Sequence, residues 1–509
     1  MNSEMLSKIW RRLRSPGTTL AQRTAHGGIW ATSMKIFDRG LNFIRLIIIA
    51  RLLTPDDFGL FGIALLVLAT IQTFSETGIK KTLIQKQEDI TPYLNTAWTI
   101  EIIKGFSIAL LLYLFSGTIA SLFHEPRAIV LLQATCIVLV MRGFINVGIV
   151  YFYKEIELHR QFVYETPAAV IDFIVSVIAA VILKNAFALI LGLIAGTLAR
   201  LVFSYILHPH RHKFEFKFSQ YRSLYSFGRW VFGSHIMMFF GKRGADFVIG
   251  VVSNAASLGL FRVASSISES TLVEPVRMIN RVSLPAYAKI QNDIERLRNN
   301  FFRIMRLTLL IVIPLATGAV ILVPEFTAIF LGQKWNNIIP ALQILFIANF
   351  IKTMVFTGGS LFYGSGHPRY DFYSQLSRAT VLFIIIYPLV SAWNIVGAAT
   401  AVLISHFVSL IVWYYAISRI LKAPISSFIE SIAPPLCAST IMGVMIFGLK
   451  DLVNLANASS FVNGSFLLIA VILFGILTYI GAIYILNKLF IRFNNLEDIT
   501  LVYKAVRGH

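Results

Sequence analysis

The stretch GIWATSMKIFDRGLNFIRLIIIARL, Gly28 to Leu52, decides how the rest of the chain is read. Its length suits a helix that crosses a bilayer, for which about 20 residues suffice. It nevertheless carries Lys35, Asp38, Arg39, Asn42 and Arg45, and a charge near the bilayer centre costs about 2.5–3.5 kcal/mol on an insertion scale. Such a helix cannot face lipid all round. Spacing of three and four residues gathers these side chains on one helical face. The stretch therefore reads as a membrane helix whose polar stripe lines a water-filled cavity, with Phe37, Phe43 and Ile47 to Ile49 facing elsewhere.

The remaining sequence repeats the same length scale. Apolar runs lie near 28–52, 59–76, 96–123, 128–152, 164–183 and 186–207. A basic loop, His208 to Arg222, separates them from runs near 226–252, 257–283, 305–323, 338–363, 373–393 and 395–418, and two more follow near 429–449 and 465–487. The fold expected is an all-α integral membrane protein of about fourteen transmembrane helices. Composition agrees: 56% of residues are hydrophobic and only 14% charged, against roughly 25% charged in a soluble domain. Mean hydropathy is +0.72. No stretch is left for a separate catalytic domain, and no signal peptide is expected behind the basic Arg11 to Arg14 cluster.

Lys and Arg number 45 against 25 Asp and Glu, and in a membrane protein the placement of that excess carries topology. The termini and alternate loops collect Arg11, Arg12, Arg14, Lys80, Lys81, Lys86, Lys154, Arg160, Arg211, Lys213, Lys217, Arg222, Lys289, Arg296, Arg298, Arg369, Arg419, Lys422, Lys488 and Arg492. The opposite loops hold only Arg51, Arg127, Lys184, Lys334 and Lys450. Both termini are therefore expected in the cytoplasm, which requires an even number of spans in the inner membrane.

Sliding the chain against itself exposes a repeat. At an offset of 200 residues Gly28 meets Gly228, Trp30 meets Trp230, Ile36 meets Ile236, and Gly59-Leu60-Phe61 meets Gly259-Leu260-Phe261 without a gap. Six spans per copy give both copies the same orientation, so the repeat is parallel and a central cavity is expected between its halves. The expected organisation is a cytoplasmic segment 1–27, a six-helix bundle 28–207, a basic linker 208–225, a second bundle 226–420, two further helices within 421–487 and a cytoplasmic tail 488–509.

The seventh run carries His235, Lys242, Arg243 and Asp246, and the eighth carries Arg262, Ser266, Glu269, Arg277 and Asn280. Two readings stay open. The charges can pair among themselves, Asp38 with Arg39 or Arg45 and Asp246 with Lys242 or Arg243, to lock helices together. Alternatively the surplus of Lys and Arg awaits an anion, because an unpaired buried cation is costly and a guanidinium fork fits phosphate oxygens. On the second reading Lys35, Arg39, Arg45, Lys242, Arg243, Arg262 and Arg277 bind substrate, while Asp38, Asp246 and Glu269 serve coupling or charge pairing. Glu76, Glu101, Lys104, Asp172, Arg378 and His406 read as isolated interhelical ties. Thr54-Pro55-Asp56-Asp57 reads as a helix start. Cys136 and Cys437 lie apart in apolar runs without metal-type spacing, so no cofactor or metal is expected.

Four stretches carry a resemblance: ARLLTPDDFGLFG (Ala50 to Gly62), SETGIKKTLIQK (Ser75 to Lys86), RVSLPAYAKIQND (Arg281 to Asp293) and LGQKWNNIIPALQIL (Leu331 to Leu345). Together they resemble the polysaccharide transporter (Wzx-type flippase) family, in its colanic-acid-exporter-like branch. That resemblance implies a fold similar to multidrug and toxin extrusion transporters, two six-helix bundles with two added C-terminal helices. It implies a substrate, an oligosaccharide repeat unit on a polyprenyl diphosphate, flipped by alternating access for exopolysaccharide, capsule or O-antigen biosynthesis. It also implies that cationic cavity residues hold the diphosphate; Arg45, Arg243 and Arg262 match by helix position. Membrane lipids, and the polymerase and glycosyltransferases of the same pathway, are the further partners implied; nucleic acid is not.

A cation-coupled drug exporter of the same fold would need an acidic cavity, which the basic surplus opposes. A membrane-embedded glycosyltransferase or polymerase would need catalytic residues in extramembrane loops, which are short here and hold no Gly-rich phosphate loop. A pore-forming structural partner would not need buried charge in both halves. The chain is thus expected to be a transporter and not an enzyme.

Overall fold

In the computed structural model, the structure describes residues 20–75, 79–85, 88–155, 157–217, 243–453 and 461–489. His235 and Lys242, most of the seventh apolar run, the repeat matches at 228, 230 and 236, and Glu76 lie outside the described residues. The described chain is helical and contains no strand. It divides into two compact units, the first formed by Met1–Arg243 with Asn254–Gly259, the second by Gly244–Ser253 with Leu260–His509.

The first unit holds α1 (Leu20–Leu52), α2 (Pro55–Phe74), α3 (Ile79–Gln85), α4 (Thr91–Leu122), α5 (Ala128–Gly143), α6 (Val150–Lys154), α7 (Leu158–Leu183) and α8 (Phe187–Leu207). A helix over 243–252 leads into α10 (Ala255–Ser268), and we number it α9. The second unit continues through α11 (Glu274–Lys289), α12 (Ile294–Phe326), α13 (Ile339–Gly364), α14 (Pro368–Leu421), α15 (Ile425–Leu452) and α16 (Phe461–Leu489). Among the described residues nine helices are long and apolar enough to cross a membrane, and α5 with 147–154, bent by 70°, forms a tenth candidate. Their outer faces expose Leu110, Leu111 and Leu114 on α4, Ile182 on α7, and Val462, Phe466 and Leu477 on α16. A soluble protein would bury side chains of this size; in lipid they need no cover.

The first helix start is built as the sequence indicates. Thr54 caps α2 by accepting from the Asp57 backbone N–H, Asp57 returns a bond to the Thr54 N–H, and Pro55 occupies the first turn. Arg127, from the turn before α5, adds a fork of 2.6 and 3.2 Å onto Asp56.

Close approach between helices rests on glycine at several of the described positions. Within the first unit, a Cβ on Gly59 would collide with the Ala255 carbonyl, and a Cβ on Gly259 would collide with the Pro55 carbonyl and approach the Gly59 nitrogen to 2.7 Å. These contacts exchange under the 200-residue offset: 59 touches 255 and 259 touches 55. On α8, Gly192 and Gly196 face Asp172, Ser176 and Ala168 of α7, a small-xxx-small ridge that brings two backbones together.

The runs predicted at 373–393 and 395–418 are the two arms of α14. The helix is broken only at Trp393 and Asn394, the latter with φ 50°. Ser374 and Ser409 hydrogen-bond each other at 2.8 Å, so the arms fold back as a hairpin. The eighth run is interrupted by a π-helical turn, Glu269–Val273, between α10 and α11.

After α8 the chain runs as a strap along the first unit. Asn146 donates to the His210 carbonyl (2.9 Å), Asn95 accepts from Lys213 N–H (3.3 Å), and Thr99 accepts from Glu215 N–H (3.1 Å). His212 donates from Nε2 to Asn146 Oδ1 (2.7 Å) and stacks on Trp98 with centroids 5.3 Å apart. Burial, reinforced by His210, His208 and Arg211, pulls the His212 pKa from 6.5 down to about 4. The unfolded strap therefore binds a proton that the docked strap refuses between those values, so docking is fully favoured above pH 6.5 and weakens as pH falls towards 4. The Trp98 contribution to fluorescence, isolated by difference against Trp98→Phe, is expected to change across that window. His212→Phe should abolish the change while keeping the stack.

Candidate functional site

The polar side chains of α1 meet those of α7 and α8 inside the first unit. Asp38, Leu41, Asn42 and Arg45 occupy successive turns of one face of α1, and opposite them stand Glu165, Ala169, Asp172 and Phe173 of α7 and Arg200 of α8. Together they enclose a cavity of about 130 Å³, roughly ten times the space needed to admit one water. Arg45 Nη1 donates to Asp172 Oδ2 at 2.7 Å, with 15% and 23% of the two side chains exposed. Arg200 Nε donates to Glu165 Oε2 at 3.2 Å. Asn42 Nδ2 bonds the Asp38 backbone carbonyl (2.7 Å), whereas Asp38 Oδ1 is buried with no hydrogen-bond donor.

For Arg45 this arrangement corrects the pairing expected from the sequence. Arg45 pairs across helices with Asp172, not with Asp38, because Asp38 lies two turns away on the same helix. Lys35 and Arg39 are exposed on the edge of the polar arc. Three carboxylates and two guanidiniums line the cavity, so its wall is of mixed charge.

In the second unit the expected stripe is also paired. Asp246 of α9 accepts from Arg262 Nη1 at 3.4 Å, a partner on α10 that the sequence did not single out. Arg277 Nη1 donates to Glu274 Oε1 one turn away on α11 (2.5 Å), and Lys352 Nζ of α13 donates to Glu269 Oε1 in the π-turn (2.5 Å). Asn349 of α13 donates to Ser268 Oγ (2.9 Å) beside it. A wider turn at Glu269 offsets the side chains around it, a device often found at functional positions. His406, buried in the second arm of α14, leaves Nδ1 without a partner and feels the charges of Arg378 and Lys352. Arg243 is present at the start of α9. Glu101 and Lys104 pair within α4 and are not an interhelical tie.

Sequence reasoning missed Glu165 and Arg200, and its reading of Asp172 as an interhelical tie agrees with the Arg45 pair. A signal existed: Glu165 and Asp172 are the charges of the 164–183 run, Arg200 is the one charge of the 186–207 run, and Gly192 and Gly196 mark the face on which those runs meet. Arg142, at the end of α5, was also missed; it lies within electrostatic reach of Arg200 and Tyr164.

Known proteins share this architecture. The chain is 26% identical to the lipopolysaccharide biosynthesis protein WzxC of Escherichia coli over 374 residues, 72% of this chain and 75% of that one. It is 20% identical to the succinoglycan biosynthesis transport protein ExoT of Rhizobium meliloti, covering 82% and 84%. Its fold matches the lipid II flippase MurJ in an inward closed conformation with a TM-score of 0.72 at 16% identity, over 91% of this chain and 99% of that chain. Across residues 48–340 the sequence fits the family model described as polysaccharide biosynthesis protein, and this multi-pass membrane protein belongs to that family.

Proposed function

We propose that the protein is a flippase that moves polyprenyl-diphosphate-linked oligosaccharide repeat units across the cytoplasmic membrane for surface polysaccharide synthesis, with no chemical step of its own. The observation that carries this reading is the charged cavity between α1, α7 and α8, set among helices whose outer faces are apolar. A sugar crossing hydrocarbon loses hydroxyl hydrogen bonds at roughly 2–7 kcal/mol each, and a polar cavity exposed to one side and then the other replaces them. The transport and flippase names of ExoT and MurJ support the same reading. On it, both termini are cytoplasmic, as the Lys and Arg distribution requires, and Lys35, Arg39, Lys242, Arg243, Arg262 and Arg277 supply contacts to the diphosphate, with Asp246 and Glu269 balancing their charge.

Deletion of the gene in a host without a second flippase is expected to trap lipid-linked repeat units in the inner leaflet and to remove surface polysaccharide. Normal surface polysaccharide in that strain would overturn the reading. One observation favours the drug-exporter alternative, the excess of carboxylates in the cavity wall. Two of the three carboxylates are already paired with Arg45 and Arg200, however, which leaves Asp38 as the single acid available to a cationic drug. Drug susceptibility of the deletion strain is accordingly expected to be unchanged.

A further inference from the structure

We propose that the cavity between α1, α7 and α8 is a sugar subsite, which receives the uncharged, hydroxyl-rich part of the cargo and excludes its diphosphate; this rests on the flippase reading above. The donors and acceptors in the wall carry the argument. A diphosphate entering here would find each cavity guanidinium already facing a carboxylate, Arg45 on Asp172 and Arg200 on Glu165. It would also approach Asp38, a third carboxyl group. The like-charge repulsion would not be offset by a free cation in the lining.

The unmet demands of the wall are of both kinds. Asp38 Oδ1 is a buried acceptor without a donor. Arg45 and Arg200 each use one N–H on a carboxylate, and their remaining N–H groups have no protein acceptor among the described residues. A phosphate only accepts at neutral pH and an ammonium only donates. A hydroxyl does both, so a ring bearing several adjacent hydroxyls can satisfy interleaved acceptors and donors at once. Phe173 adds an apolar surface to the same wall, suited to the C–H face of a pyranose. The volume, about 130 Å³, suits a sugar ring better than a single ion.

The test compares two probes on the full-length protein in lipid nanodiscs. One is the sugar-bearing polyprenyl diphosphate extracted from the deletion strain; the other is polyprenyl diphosphate without sugar. Asp38→Asn keeps the shape of the side chain and removes its charge. It is expected to weaken binding of the sugar-bearing lipid about ten-fold, the loss of a hydrogen bond to a charged group, while affinity for the bare lipid stays within about two-fold. Phe173→Leu should shift affinity in the same selective way and does not touch the ion pairs.

Equal losses for both lipids in both variants would overturn the proposal by assigning the cavity to the diphosphate. Undiminished affinity for the sugar-bearing lipid in both would overturn it too, leaving the cavity hydrated only. A changed pH dependence of transport in Asp38→Asn with both affinities intact would assign Asp38 to a proton and overturn it as well. Wild-type protein that fails to prefer the sugar-bearing lipid would overturn the flippase reading itself, and this inference with it.

Discussion

Gly259→Ala is expected to abolish export and to lower the thermal unfolding temperature in detergent, although a single methyl group is added. The new Cβ would fall on the Pro55 carbonyl and within 2.7 Å of the Gly59 nitrogen. Both obstacles are backbone, and neither can rotate away. Overpacking of this kind costs typically 1–3 kcal/mol where side chains can adjust, and backbone has less freedom to adjust, so the upper end or more is expected. Gly59→Ala meets the Ala255 carbonyl in the same manner and should behave alike. Gly117→Ala is the control: it sits in α4 with nothing within 4 Å of its Cβ position. There the better helix propensity of alanine should leave stability unchanged or raise it by up to about 1 kcal/mol. Unfolding followed by tryptophan fluorescence, with surface polysaccharide measured in parallel, checks all three; a fully active, equally stable Gly259→Ala protein would refute the close crossing.

Arg45→Leu is expected to destabilise the first unit by about 3–5 kcal/mol, because it strands Asp172 as a largely buried carboxylate without its partner. Asp172 Oδ2 accepts from Arg45 at 2.7 Å, and its other oxygen already has no donor. The double variant Arg45→Leu with Asp172→Leu should recover most of that loss, since removing both charges removes the desolvation penalty as well. Coupling in the cycle of about 1–3 kcal/mol, read from denaturant unfolding, is expected. Additive losses would mean that the two side chains are not paired. If the recovered double variant folds but does not export, the pair serves transport and not only stability.

The distance between sequence and structure differs from element to element. Spans were readable because apolarity over about 20 residues is a local property, and even the break of α14 at Trp393 and Asn394 falls where two runs were separated. The Thr54 cap was readable for the same reason, being a contact over three residues. Ion pairing was not. The sequence shows that Arg45 and Asp38 share a helix but not that α7 presents Asp172, 127 residues away, at 2.7 Å. Charge along α1 alone did not show that α7 and α8 add Glu165, Asp172 and Arg200 opposite Asp38 and Arg45. The π-turn at Glu269 escaped for a different reason: one extra residue in a helical turn leaves no mark in apolar periodicity.

The reciprocal glycine contact has a consequence for substitution. In a two-fold dimer, residue i of one subunit meets j of the other while j meets i, and the contacts 59 to 255 and 259 to 55 obey that rule inside one polypeptide. Each copy of the duplicated segment contributes one glycine and one carbonyl to the same crossing. A substitution at either glycine therefore produces the same kind of collision, because a Cβ at either position meets backbone. Gly59 and Gly259 are thus constrained as a pair, and the match of Gly-Leu-Phe at 59 and 259 falls on that crossing.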